Sequence, residues 1–145
     1  MGNTPLRHDL SELTLVAAGA IPGALLRWQL EGLMMDRLPG LKLSGLKGQI
    51  EGDFVANMLG CLLIGLLLSK PDNPKRLLLW GAIGFCGSLT TFSSWMLELV
   101  RALDRGAPLA ALQVLLVSLV GGLLLLSLGR ALGERWFKPR HRRSS

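Results

Sequence analysis

The sequence predicts an all-α integral membrane protein with four membrane-crossing helices, the third broken within the membrane. Three observations predict it. Long apolar runs recur four times in 145 residues. Charged residues are 18% of the chain, below the roughly 25% of soluble domains, and they gather between the runs. Glycines and hydroxyl residues interrupt the third run. The composition is short of the polar surface that a soluble enzyme or a disordered chain requires. The length allows one domain, read as a single transmembrane channel domain over residues 1–145.

The first span covers about residues 12–35. Leu13 to Leu26 carries no charge, Arg27 interrupts it, and WQLEGLMM continues to Met35. With Arg27 included the run is about 22 residues, enough to cross. Pro22 is tolerable if neighbours satisfy the freed carbonyl. Asp9, Glu12 and the lack of a clean A-x-A stop argue against a signal peptide. A polar linker with Pro39 follows, from Asp36 to Glu51. In it Leu38, Leu41, Leu43 and Leu46 are spaced to line a short interfacial helix.

The second span covers about 52–69, with a charge-free core from Phe54 to Ser69 extended by Gly52 and Asp53. KPDNPKR, Lys70 to Arg76, is a turn with two prolines. The third span covers about 77–100, and Arg101 to Arg105 form a basic loop. The fourth covers about 106–129 without a charge, and a polar tail runs from Arg130 to Ser145.

The net charge of +6 would suggest nucleic acid in a soluble protein. Here the basic residues flank apolar runs, so they read as juxtamembrane charge and no nucleic-acid partner is expected. Four crossings put both termini on one side. That side carries Arg7, Lys70, Lys75, Arg76 and six basic residues of the tail; the other carries Arg37, Lys42, Lys47, Arg101 and Arg105. The bias places the termini in the cytoplasm. Cys61 and Cys86 lie inside apolar runs and read as small buried hydrophobes. His8 and His141 lie in the terminal segments, so no metal cluster of side chains is expected.

Glycines inside the spans read as packing residues, because small side chains let helix backbones approach in lipid. Gly19 and Gly23 form a G-x-x-x-G pair, Gly129 and Gly133 another, and Gly81, Gly84 and Gly87 recur every three residues. The stretch GFCGSLTTFSSW, Gly84 to Trp95, holds Ser88, Thr90, Thr91, Ser93 and Ser94 at membrane depth. Two threonines after two glycines make a poor continuous helix. A break there survives only buried in protein or lining a watery path. Asn57 is the second isolated polar group, facing either a helix neighbour or a solute path. Arg27 and Glu98 reach opposite interfaces, and Asp53 lies near an end. Hydroxyl and amide donors replace the hydration of a small anion without trapping it, and the edge of Phe92 adds positive potential. Spans two and three, with donors and no acid in their interiors, lean toward an anion or a neutral solute.

At this point the chain resembles the CrcB/Fluc family of small fluoride channels. GFCGSLTTFSSW is similar to that family's GFCGGxTTFSTF. GDFVANMLGCLLIG, Gly52 to Gly65, is similar to GTxxVNxxGSFxxG, and GAIPGALLRW, Gly19 to Trp28, to GGxxGAxxRY. Three motifs in order, each on its own span, carry the likeness over nearly the whole chain. The resemblance implies an antiparallel, dual-topology homodimer in a bacterial inner membrane. Two passive fluoride paths at the subunit interface would relieve fluoride toxicity without chemistry on the substrate. It implies Asn57, Phe92, Ser93 and Trp95 on the path, with the hydroxyls of Thr91 and Ser94. It implies a central sodium ion on the backbone carbonyls of Gly87 and Thr90, and Arg27, Glu98 and Asp53 near the vestibules. Gly19, Gly23, Gly60 and Gly84 are the packing glycines. Trp95 and Asp53 depart from the family's phenylalanine and threonine. The missing tyrosine leaves Gln113 and Ser118 as polar candidates on span four. Two alternatives stay open. One is a partner subunit of a heterodimeric channel with a degenerate path; the other is a small exporter, which would need a midplane acid.

Overall fold

A computed structural model describes residues 5–37, 52–70 and 74–137. All regular structure among them is helical. Helix α1 spans Pro5–Arg37 and α2 spans Gly52–Leu68. The third crossing is composite: α3 (Lys75–Leu77), a π-helix (Leu78–Cys86), α4 (Gly87–Leu89), an extended link, and α5 (Ser93–Asp104). Helix α6 spans Pro108–Phe137. The segments Asp9–Leu33, Lys75–Asp104 and Pro108–Phe137 are long and apolar enough to cross a membrane, and Asp53–Leu68 is a shorter apolar helix. The chain is a multi-pass membrane protein.

Several boundaries differ from the sequence reading. Helix α1 begins earlier than residue 12 and continues through Pro22. Helix α5 runs to Asp104, so Arg101 lies in a helix rather than in a basic loop. Helix α6 carries the first eight residues of the expected tail, to Phe137. The physical reason is packing together with an i,i+4 ion pair. Gly129 and Gly133 lie against α2, and Arg130 Nε donates to Glu134 Oε1 at 2.9 Å. Positions 38–51, with the leucines of the expected interfacial helix, lie outside the described residues, as do 71–73 and 138–145.

The turn between α5 and α6 follows from one glycine. Gly106 has φ 68°, a left-handed conformation that a β-carbon disfavours. Its N–H donates to Leu103 O at 2.9 Å, and Ala107 N–H donates to Ala102 O at 3.0 Å. This pair of bonds is a Schellman closure. Pro108 then starts α6, where a missing N–H costs nothing.

Two parallel helix pairs make the bundle. Glu12 pairs with Lys75, and Gly19 and Gly23 lie against Trp80, Phe85 and Ser88, so α1 runs alongside the third crossing in the same direction. A β-carbon at Gly19 would overlap the Trp80 carbonyl, and one at Gly23 the Phe85 carbonyl. Gly84 returns the approach, lying against Val16 O and Gly19 Cα. Helices α2 and α6 form the second pair: Gly121 meets Met58, Gly129 meets Leu62, and Gly133 meets Leu66 and Ser69. Without a hydrophobic force between helices in lipid, backbone approach of this kind supplies the dispersion contact. Outer faces are apolar and exposed, as at Ile21, Leu25, Leu119 and Leu123. Such a surface suits lipid or a second subunit.

Candidate functional site: a broken helix clamped by an asparagine

The third crossing stops being helical at Leu89, a side chain with no exposure. Thr90 turns extended, at φ −83° and ψ 151°. β-Branched Thr90 and Thr91 favour that geometry. Thr90 N–H makes the last helical bond, to Cys86 O at 3.0 Å, and Thr90 Oγ1 donates to the same carbonyl at 2.9 Å. In a continuing α-helix Thr91 N–H would reach Gly87 O. Instead it donates to Asn57 Oδ1 at 2.7 Å, while Asn57 Nδ2 donates to Thr91 O at 3.0 Å. The side chain from α2 thus takes over both backbone groups of Thr91. One turn along α2, Gly60 leaves room for Thr90: a β-carbon there would overlap Thr90 Cγ2.

Past Thr91 the chain presents its polar lip. Phe92 caps the start of α5 and is 69% exposed. Its ring is tilted 53° to that of Trp95, with centroids 5.5 Å apart. The Thr91 and Ser93 hydroxyls lie 3.1 Å apart and exposed. The pair holds two protons and uses one between them, so one donor remains for an outside acceptor. Ser94 is half-buried in the first turn of α5. The unpaired N–H groups of that first turn give the lip positive character.

The other side of the break has the opposite character. Among the described residues, no backbone N–H donates to the carbonyls of Gly87 or Thr90. Gly87 is exposed, and a β-carbon there would meet only the Ala82 carbonyl oxygen, at an ordinary contact distance of 3.9 Å. Oxygen donors of this kind suit a hard cation such as sodium, so the residues present fit one.

The structure divides the five clustered hydroxyls. Ser88 Oγ donates to Ala20 O at 2.8 Å and lies 3.1 Å from Phe85 O, so it joins α1 to the third crossing. Thr90 closes on its own helix, whereas Thr91 and Ser93 face outward. Arg27 is on α1, 3.7 Å from Glu31. Glu98 is half-buried on α5, more than a turn past Phe92. Asp53 lies in the first turn of α2, one turn before Asn57. Sequence reasoning missed that Asn57 is the clamp of the break. An amide one span away from an extended Thr-Thr pair was the available signal. It also missed the π-helix, which carries no residue signature beyond Gly81 and Gly84.

Comparisons with known proteins identify the family. Residues 14–130 match the family described as "CrcB-like protein, Camphor Resistance (CrcB)". The chain is 45% identical over 139 residues to the "Fluoride-specific ion channel FluC 2" of Parasynechococcus marenigrum, covering 96% of this chain and 93% of that one. It is 35% identical over 135 residues to the "Fluoride-specific ion channel FluC" of Prosthecochloris aestuarii, covering 90% and 99%. A protein of the same name from Pseudomonas putida is 39% identical over 116 residues, covering 77% and 88%. With the match spanning all four crossings and the broken third helix, the chain belongs to the CrcB/Fluc family.

Proposed function

We propose that this protein is a passive, fluoride-selective channel that relieves fluoride toxicity and works as an antiparallel homodimer. The observation that carries the reading is the interrupted third crossing, clamped by Asn57, with Phe92, Thr91 and Ser93 turned outward from the single chain. Fluoride is a small, strongly hydrated acceptor, and a path must replace its water. The Thr91–Ser93 pair has a donor to give. Asn57 keeps a second Nδ2 proton beyond the one given to Thr91 O. The first turn of α5 adds N–H groups and a favourable dipole. The edges of Phe92 and Trp95 complete the lining with weak positive potential. None of these is a full positive charge, so the anion is bound weakly enough to leave. Ser94 stands next in line along α5, and Arg27, Glu98 and Asp53 belong to the vestibules.

A lip that leaves the Phe92 ring and the Thr91 and Ser93 hydroxyls this exposed is incomplete in one chain. A second copy related by a two-fold axis in the membrane plane covers it and builds two equivalent paths. The same axis brings two copies of the Gly87 and Thr90 carbonyls together, which would hold sodium. When bound, that cation supplies positive charge that eases the approach of an anion. Growth of a fluoride-sensitive bacterium tests the reading: cells making this chain tolerate fluoride, and cells making Phe92→Ala do not. Equal sensitivity with and without the native chain contradicts it.

A further inference from the structure

Among the described residues, three side-chain atoms are buried without a hydrogen-bond partner: Asp53 Oδ1, Trp95 Nε1 and Ser118 Oγ. They come from three different helices. A polar atom left so in an apolar interior costs about 1–3 kcal/mol, so three at once require an explanation.

The register puts them at one level. Asn57 is bonded to Thr91 across two antiparallel segments. One turn back along α2 from Asn57 is Asp53; one turn on from Thr91, inside α5, is Trp95. The same step taken in opposite directions keeps the two abreast. Helices α5 and α6 form a hairpin about Gly106. Trp95 precedes Asp104, the last residue of α5, by nine positions, and Ser118 follows Pro108, the first residue of α6, by ten. At about 1.5 Å per residue the two lie within about 2 Å of the same height. From α2 the result repeats. Gly121 and Gly122 meet Met58, Ser118 is one turn before them, and Asp53 is about one turn before Met58.

The faces agree as well. Asp53 shares its face with Asn57. Ser118 shares its face with Gly122 and with buried Ala111, seven residues earlier. Trp95 falls in the inward stripe of α5 with Leu99 and Ala102, all half-buried.

We infer that these residues hold one internal water molecule. The donor set selects it. Indole N–H can only donate, which disfavours a cation; the carboxylate disfavours an anion. A water accepts from Trp95 Nε1, donates to Asp53 Oδ1, and exchanges its remaining bond with Ser118 Oγ. Three bonds are what a buried water ordinarily makes. The consequence, which rests on the channel reading, is positional. The water ties the Asp53 carboxylate to the indole, away from the anion, and fixes the Trp95 ring against which Phe92 leans.

The experiment uses the full-length chain in lipid nanodiscs with 15N-labelled tryptophan. Of the four indole signals, that of Trp95 is the one lost in Trp95→Phe. The expected result is a cross-peak between the Trp95 indole proton and a long-lived water. It disappears in Asp53→Ala and in Ser118→Ala, while Ser118→Ala keeps the other three indole signals in place. No such cross-peak in the native protein overturns the inference, as does one unchanged in both variants. Fluoride efflux reads the consequence. Trp95→Phe slows it about tenfold, the scale of losing the one hydrogen bond by which the indole holds the water, and adding Asp53→Thr restores it. If Asp53→Thr does not rescue Trp95→Phe, the positional consequence is overturned. A native chain that passes no fluoride counts against the channel reading, and the water signal decides the site independently.

Discussion

Asn57 and Thr91 exchange two hydrogen bonds, one in each direction, at 3.0 and 2.7 Å. That exchange fixes the orientation of the amide, since only Nδ2 can donate to the Thr91 carbonyl. It also explains how a helix can stop inside a membrane: the two backbone groups that the stop leaves open are met by one side chain from α2.

Asn57→Ala leaves both Thr91 groups without partners. The expected loss is about 2–6 kcal/mol, at 1–3 for each group, read as a lower thermal midpoint in detergent together with loss of fluoride flux. Asn57→Asp keeps the acceptor and loses the donor, so it falls between the native protein and Asn57→Ala. Native stability in Asn57→Ala would show that the break stands without its clamp.

Glycine substitutions separate close approach from mere composition. At Gly19, Gly65 and Gly129 a β-carbon would overlap a backbone carbonyl of the neighbouring helix. Alanine at any of the three is expected to destabilise by about 1–3 kcal/mol. Gly32 meets nothing within 4 Å. Gly32→Ala is expected to be neutral or to stabilise by about 0.5–1 kcal/mol through helix propensity. Thermal unfolding of the four variants side by side checks the ranking.

Phe92 is exposed in the single chain, so its removal does not open a cavity within that chain. Phe92→Ile is expected to keep the native thermal midpoint and dimeric mass while fluoride flux falls about tenfold or more, the scale of one lost transition-state contact. Unchanged flux would remove Phe92 from the path.

Gly87 tests the two-fold arrangement. A residue beside a two-fold axis meets its own copy. Gly87→Cys is expected to cross-link to a dimer under mild oxidation in membranes. Native Cys86 next to it is fully buried and gives no such product. A monomer band alone would place Gly87 away from the axis.

Much of this was legible in the sequence because the determinants are local. Apolar runs of membrane length, and Thr90–Thr91 after Gly84 and Gly87, announce spans and a break without knowledge of neighbours. Gly19, Gly23 and Gly84 announce close packing, though not against which backbone. What stayed hidden is what a second helix supplies. Asn57 looked like pore lining or helix glue, and only its position opposite Thr91 reveals a clamp. The division of hydroxyls, with Ser88 joining α1 and Thr91 and Ser93 facing out, depends on helix phase, which the π-helix at Leu78–Cys86 resets. The extension of α6 to Phe137 was masked by the charges of Arg130, Glu134 and Arg135, which sit on the rim of a helix rather than in a tail.

The central claim is that donors at the broken third helix pass fluoride between two copies of this chain and nothing else is needed. Fluoride release from potassium fluoride-loaded liposomes, reconstituted with the purified protein alone and triggered by valinomycin, tests it most directly. The account predicts rapid fluoride release, seen with a fluoride electrode, and chloride release from matched vesicles near that of protein-free controls. Fluoride release no faster than in protein-free vesicles, or equal release of both anions, would contradict it.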